Sequence, residues 1–105
     1  MSGVNEKDWK LFKSRIGCWQ EAYMGKLCKE YVALLNGDGK ASKKFWELEK
    51  RINEDKKSPG VILDMRRSQM DLNIMSLLRD GVIDMDDLEG FSSEFREKME
   101  KFTQE

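Results

Sequence analysis

The chain has 105 residues, the size of one domain with one modest hydrophobic core. Charged residues make up 37% of it, against about 25% in an average protein, so most of its surface is strongly solvated. The net charge of −1 gives no global attraction for nucleic acid or anionic lipid, and no run approaches the roughly 18 consecutive apolar residues of a membrane helix.

Val, Ile and Thr together number ten, as many as Leu alone. Unbranched Leu, Met, Glu and Lys favour helices and β-branched residues favour strands, so the composition predicts an all-α fold. A first helix is expected from about Asn5 to Leu35. Asn5 is an acceptable N-cap, and Glu6 and Asp8 suit the positive end of the helix dipole. Trp9, Phe12, Ile16, Trp19, Tyr23, Leu27, Tyr31 and Leu34 recur at spacings of three and four, which is one apolar stripe. Asn36-Gly37-Asp38-Gly39 reads as its stop. Thirty residues of helix span about 45 Å, against a radius of gyration of about 13 Å for a compact chain of this size. Such a helix either kinks, with Gly17 and Gly25 as the weak points, or protrudes. The same glycines would also admit a closely packed partner helix.

A second helix is expected from Ser42 as N-cap to about Lys57, with Phe45, Leu48 and Ile52 as its inner stripe and Trp46 beside it. Ser58-Pro59 reads as a cap followed by proline in the first helical position. A third helix then runs to about Arg79, with Val61, Ile62, Met65, Leu72, Met75 and Leu78 facing the core and Met70 and Ile74 widening the arc. Asp84 can cap a short helical turn through Leu88, and Ser92 starts a last helix with Phe95, Met99 and Phe102 at i, i+4 and i+7. Residues 1–83 carry a net charge of +4 and residues 84–105 a net of −5, so the C-terminal helix is expected to be acidic. No repeat or long linker divides the chain, and one domain over 1–105 suffices.

Cys18 and Cys28 are the only cysteines. On one continuous helix they lie about 15 Å apart along the axis, too far for a disulfide. Two unpaired thiols suit a reducing cytosol, and buried, inert cysteine is the expectation. Met1 to Glu6 lacks the basic and apolar regions of a signal peptide, so a cytoplasmic setting is expected.

The chain has no histidine, which removes Ser-His-Asp and Cys-His catalysis and His-containing zinc sites. No P-loop or dinucleotide fingerprint occurs. Asp80-Gly81-Val82-Ile83-Asp84-Met85-Asp86-Asp87 resembles the second half of a calcium loop, but that register puts Ser76 and Leu78 at positions one and three, where oxygen-rich ligands are needed. No catalytic, cofactor-binding or metal-binding residue is therefore assigned, and no small molecule is indicated. Two binding readings remain. Aromatic residues and Met are enriched at protein interfaces, and Trp9, Phe12, Trp19 and Trp46 are the candidate interface for self-association or a protein partner. The competing reading places these side chains in the core. Leu11, Met24, Cys28, Val32 and Leu35 flank the main stripe of the first helix and make it apolar on more than one face. The alternative is a DNA-binding regulator with helices two and three as a helix-turn-helix and Arg66 and Arg67 as contacts. Against it, apolar Val61, Ile62, Leu63 and Met65 occupy the start of the expected reading helix.

The segments Phe45-Trp46-Glu47-Leu48-Glu49-Lys50-Arg51-Ile52, Glu54-Asp55-Lys56-Lys57, Pro59-Gly60-Val61, Gly81-Val82-Ile83 and Asp86-Asp87-Leu88-Glu89-Gly90-Phe91-Ser92 resemble a family of small proteins of gut Firmicutes, often found near mobile elements. Members are sometimes labelled multidrug transporters, a label that the lack of a membrane segment contradicts. The resemblance implies a bacterial cytoplasmic setting and a mobile-element or phage origin, with no active-site motif to carry over. The expectation is thus a small helical bundle with one long N-terminal helix, two further main helices and a short acidic C-terminal helix. Its expected role is non-enzymatic protein–protein interaction or regulation. A related expectation is a phage-type inhibitor of a host nuclease that presents the acidic segment from Asp84 to Glu105.

Overall fold

The computed structural model describes residues 5–104; Met1–Val4, read above for a signal peptide, and Glu105, the end of the acidic segment, lie outside the described residues. Four α-helices form: α1 (Glu6–Asn36), α2 (Ala41–Asp55), α3 (Met70–Arg79) and α4 (Ser93–Thr103). Two 3-10 turns, Arg67–Gln69 and Met85–Leu88, complete the regular structure, and no strand occurs among the described residues. No helix among them is long and apolar enough to cross a membrane.

Helix α1 starts where its first turn is capped: the Asn5 side chain accepts hydrogen bonds from the backbone N–H groups of Lys7 (2.8 Å) and Asp8 (3.4 Å). It continues unbroken past Gly17 and Gly25 for 31 residues. It therefore protrudes. The molecule measures 55 × 25 × 22 Å, and its radius of gyration of 16.7 Å exceeds the roughly 13 Å of a compact chain of this length. Neither glycine admits a close neighbour within the chain, because a Cβ at either position meets nothing within 4 Å.

The core gathers at the N-terminal half of α1. Phe12 and Ile16 of α1, Met70, Ile74 and Leu77 of α3, and Phe95 and Met99 of α4 are buried together with Ile83, Leu88 and Phe91 from the connecting turns. Six of these side chains, Phe12, Met70, Ile74, Leu77, Leu88 and Met99, are essentially without solvent contact. Each contributes about 1.5–3 kcal/mol of burial. The turn that carries Leu88 is fixed by a capping box: Asp87 N–H donates to the Asp84 carboxylate at 3.2 Å, and Asp84 N–H donates to the Asp87 carboxylate at 2.9 Å.

One polar contact ties the first helix to the last. Asp8 is buried and accepts two hydrogen bonds from Ser92, from its N–H at 2.8 Å and its hydroxyl at 2.7 Å. The same Ser92 hydroxyl oxygen caps α4 by accepting from Phe95 N–H. Arg15 adds a second tie, donating to the carbonyls of Asp87 (3.0 Å) and Glu89 with its guanidinium over the Phe91 ring.

Several expectations are corrected. Helix α2 starts at Ala41 after Lys40, with no side-chain cap from Ser42. It contributes no buried residue; Leu48 is half-buried, while Phe45, Trp46 and Ile52 stand in solvent rather than forming an inner stripe. The third helix begins at Met70, not at Pro59. Residues 56–69 instead form an irregular strap. Its Pro59 and Gly60 are buried against α1, where Gln20 Nε2 donates to Pro59 O at 3.1 Å and a Cβ on Gly60 would come within 2.3 Å of the Tyr23 ring. Because 61–66 are not helical, the buried face of α3 is Met70, Asn73, Ile74 and Leu77, and Ile62, Met65 and Leu72 are exposed. Helix α4 is not acidic: Glu94, Glu97 and Glu100 are balanced by Arg96, Lys98 and Lys101, and the acidic surplus sits in Asp84, Asp86, Asp87 and Glu89. Cys18 and Cys28 are unpaired, as spacing requires, but exposed rather than buried.

Replacing Asp8 with Ala leaves the half-buried Ser92 donors without their carboxylate and should lower unfolding free energy by about 1–2 kcal/mol in chemical denaturation, with Asp8→Asn losing less. Gly17→Ala should do the opposite and raise stability by about 0.5–1 kcal/mol, since the site is helical and open.

Candidate protein-docking face

Beyond Tyr23 the core no longer covers α1, and only α2 runs beside it. Residues Gly37 to Lys40 reverse the chain, so α2 returns antiparallel along the distal half of α1. Arg51 links the two helices through Glu30 at 2.7 Å, and its guanidinium lies over the Tyr31 ring at 5.5 Å. The Tyr31 hydroxyl donates to the Asp55 carboxylate. Burial, reinforced by that hydrogen bond and by the Asp55 charge, pushes the Tyr31 phenol up to about 12. The Glu30 hydrogen bond likewise raises the Arg51 guanidinium above its ordinary value. This polar cluster holds the hairpin together, along with Leu27, the one buried apolar side chain on this part of α1, and the half-buried Leu34 and Leu48.

At about 100° per residue, Phe45 and Ile52 share one stripe of α2, and Cys28 and Leu35 share one stripe of α1. Leu35 and Phe45 meet across a shallow groove of about 540 Å³ lined also by Gly39, Ala41, Lys44 and Leu48. Phe45 is 62% exposed, Trp46 60%, Val32 56%, Leu35 44% and Ile52 38%. Phe45 and Trp46 pack edge to face with ring centroids 5.0 Å apart. The hairpin thus presents an open apolar face centred on Leu35, Phe45 and Ile52, with Val32 and Trp46 at its edges and Lys44 lining the groove.

The residues singled out from sequence fall in two places. Phe12 is wholly buried and cannot meet a partner in this fold. Trp9 and Trp19 are half-buried against the same core, with ring centroids 6.0 and 6.2 Å from Phe12. Trp46 alone of the four is on display. Phe45, Leu35, Val32 and Ile52 complete the face. Their signal in the sequence was the poverty of α2, whose few apolar residues sit among eight charged ones in 15 positions.

Arg66 and Arg67 do not lie on a reading helix. Arg66 is in extended backbone and pairs with Asp64 at 2.5 Å, which holds the Asp64 carboxyl below its usual range. Arg67 opens a 3-10 turn and pairs with Glu6 at 2.7 Å. The strap of 56–69 replaces the short turn of a helix-turn-helix. Among the described residues, no three His, Cys, Asp or Glu side chains are placed to hold a metal ion.

Tyr31 gives the hairpin a pH signature. Its neutral phenol is favoured in the fold, so its contribution to stability is complete below its ordinary value of 10.0 and is lost as pH rises toward 12. Phenolate absorbance should show one tyrosine titrating near 12, and Tyr31→Phe should abolish the stability loss across that window. Comparison with protein-family models, curated proteins and solved structures finds no match for this chain.

Proposed function

We propose that the protein is a non-enzymatic helical interaction protein, and that its docking face is the open side of the α1–α2 hairpin rather than the tryptophans of the core. One observation carries this reading: Phe45 and Trp46, both more than half exposed, stand with Ile52 on a helix that has no fully buried residue, and Leu35 of α1 lines the groove beside Phe45. Aromatic side chains displayed in this way supply large contact area at low conformational cost and are the usual anchors of binding energy. The bacterial mobile-element setting implied by the family resemblance belongs to the same proposal, since a small dedicated binder suits it.

The nuclease-inhibitor variant is less favoured, because Asp84 and Asp87 direct their carboxylates to each other's backbone N–H groups. The DNA-binding variant is less favoured because Arg66 and Arg67 both have carboxylate partners.

Amine-reactive cross-linking in the native host, read by mass spectrometry, tests the docking face. Cross-links to a protein should emanate from Lys44 and Lys56, which adjoin the face, and disappear with Phe45→Glu, whose side chain lies outside the core. Cross-links confined to the core end of the molecule, or unchanged by that substitution, would refute it.

A further inference from the structure

We infer that the open hairpin face is covered by a second copy of this chain, the two hairpins closing into an antiparallel four-helix assembly. This rests on the docking reading above and names the occupant. The first argument is area. Weighted by their exposures, Phe45 and Trp46 leave roughly 250 Å² of apolar surface open, at about 150–250 Å² per aromatic side chain, and the smaller Val32, Leu35 and Ile52 bring the total to roughly 400 Å². A stable interface of about 800 Å² per partner, a little over half of it apolar, requires about that much.

The second argument is register. Phe45 and Ile52 are seven residues apart on α2, two helical turns. A two-fold axis between positions 48 and 49 sets Phe45 of one copy against Ile52 of the other, and the same contact recurs on the far side of the axis. Such a patch is complementary to itself, as an isologous interface must be. In this register Lys56 stands across from Ala41 of the second copy, and the two Glu49 side chains flank the axis on the edge of the face away from α1, where they stay in solvent.

The third argument is charge. The alternative self-contact, basic hairpin tip on the acidic turn at Asp84–Glu89, joins two different patches and propagates into open chains instead of closing. It also leaves the apolar face in water.

The register makes a test in which pairing specificity, not mere loss of binding, is the readout. On a background with Cys18→Ser and Cys28→Ser, both exposed positions, Phe45→Cys and Ile52→Cys are made as separate proteins. Each keeps the other native anchor. Mixed and oxidised, they should give a covalent dimer on a non-reducing gel, and each alone should give far less. The two positions cannot close within one helix, because they are about 10 Å apart along it. Sedimentation equilibrium of the wild-type chain should show a monomer–dimer equilibrium whose dissociation constant rises at least about tenfold with Phe45→Glu. A strict monomer at all concentrations, higher open oligomers, or equal cross-linking in the single-variant samples would overturn the proposal. If the wild type is monomeric while its hairpin lysines cross-link a different protein in the host, self-pairing fails and the docking reading stands.

Discussion

A continuous 31-residue helix is about 46 Å long, and the rest of the chain brings enough apolar side chains to cover about half of it. Every other feature follows from that mismatch. The core forms where α3, α4 and the Met85–Leu88 turn can all reach α1, between Trp9 and Trp19. Past that point α1 would stand alone in water. Helix α2 and the strap of 56–69 fold back along it, but they meet it mainly through Arg51, Tyr31, Asp55 and the buried Pro59-Gly60 turn. The molecule has a dense end and a sparse end: the exposed aromatic rings, Phe45 and Trp46, stand at the sparse one beside Val32, Leu35 and Ile52, whereas Ile62, Met65 and Leu72 are exposed aliphatic side chains on the strap and α3.

The dense end is closed by a contact between the two chain extremities. Asp8, one turn into α1, accepts from the residue that caps α4. A buried carboxylate is costly unless its acceptor capacity is used, and Ser92 supplies two donors at once. The bond spans 84 positions of sequence, so it orders the ends of the chain relative to each other in a way that apolar packing, which is non-directional, does not. Arg15 acts similarly two turns further along the same face of α1, donating to the carbonyls of Asp87 and Glu89 where the chain turns between Leu88 and α4. The core therefore tolerates a long projection from one of its helices: its own closure does not involve the hairpin.

Reading the sequence worked where local signals and tertiary packing agree. Asn5, Ser92 and Asp84 cap as their side chains dictate, and the stripe from Trp9 to Leu34 does mark one long helix. It failed at Pro59 because the Ser-Pro pair is a valid helix start locally. The turn there is decided by tertiary contact, with Gly60 pressed onto Tyr23 where no side chain fits. Shifting the start of α3 from Pro59 to Met70 changed which apolar residues counted as core, and Ile62 and Leu72 moved to the surface. The docking face was half legible. Trp46 was identified, but Trp9, Phe12 and Trp19 were indistinguishable from it by type, since the same aromatics build cores and interfaces. Assigning Phe45 and Ile52 to an inner stripe assumed that every apolar stripe finds a partner in its own chain, and α2 has none on that side.

Helix α2 then raises an energetic question that its surroundings answer. Isolated helices of about 12–15 residues are marginal in water, and α2 has 15, with no buried residue and no side-chain N-cap. Its attachment to α1 is a cluster of partly exposed ion pairs and hydrogen bonds, each of modest net worth. A helix held so lightly gains more from an apolar partner than a well-packed one does, because covering Phe45 and Ile52 adds burial that the monomer lacks and is linked to the population of the folded hairpin itself. In the proposed docking, covering Leu35, Phe45 and Ile52 and stabilising α2 are for this reason one equilibrium.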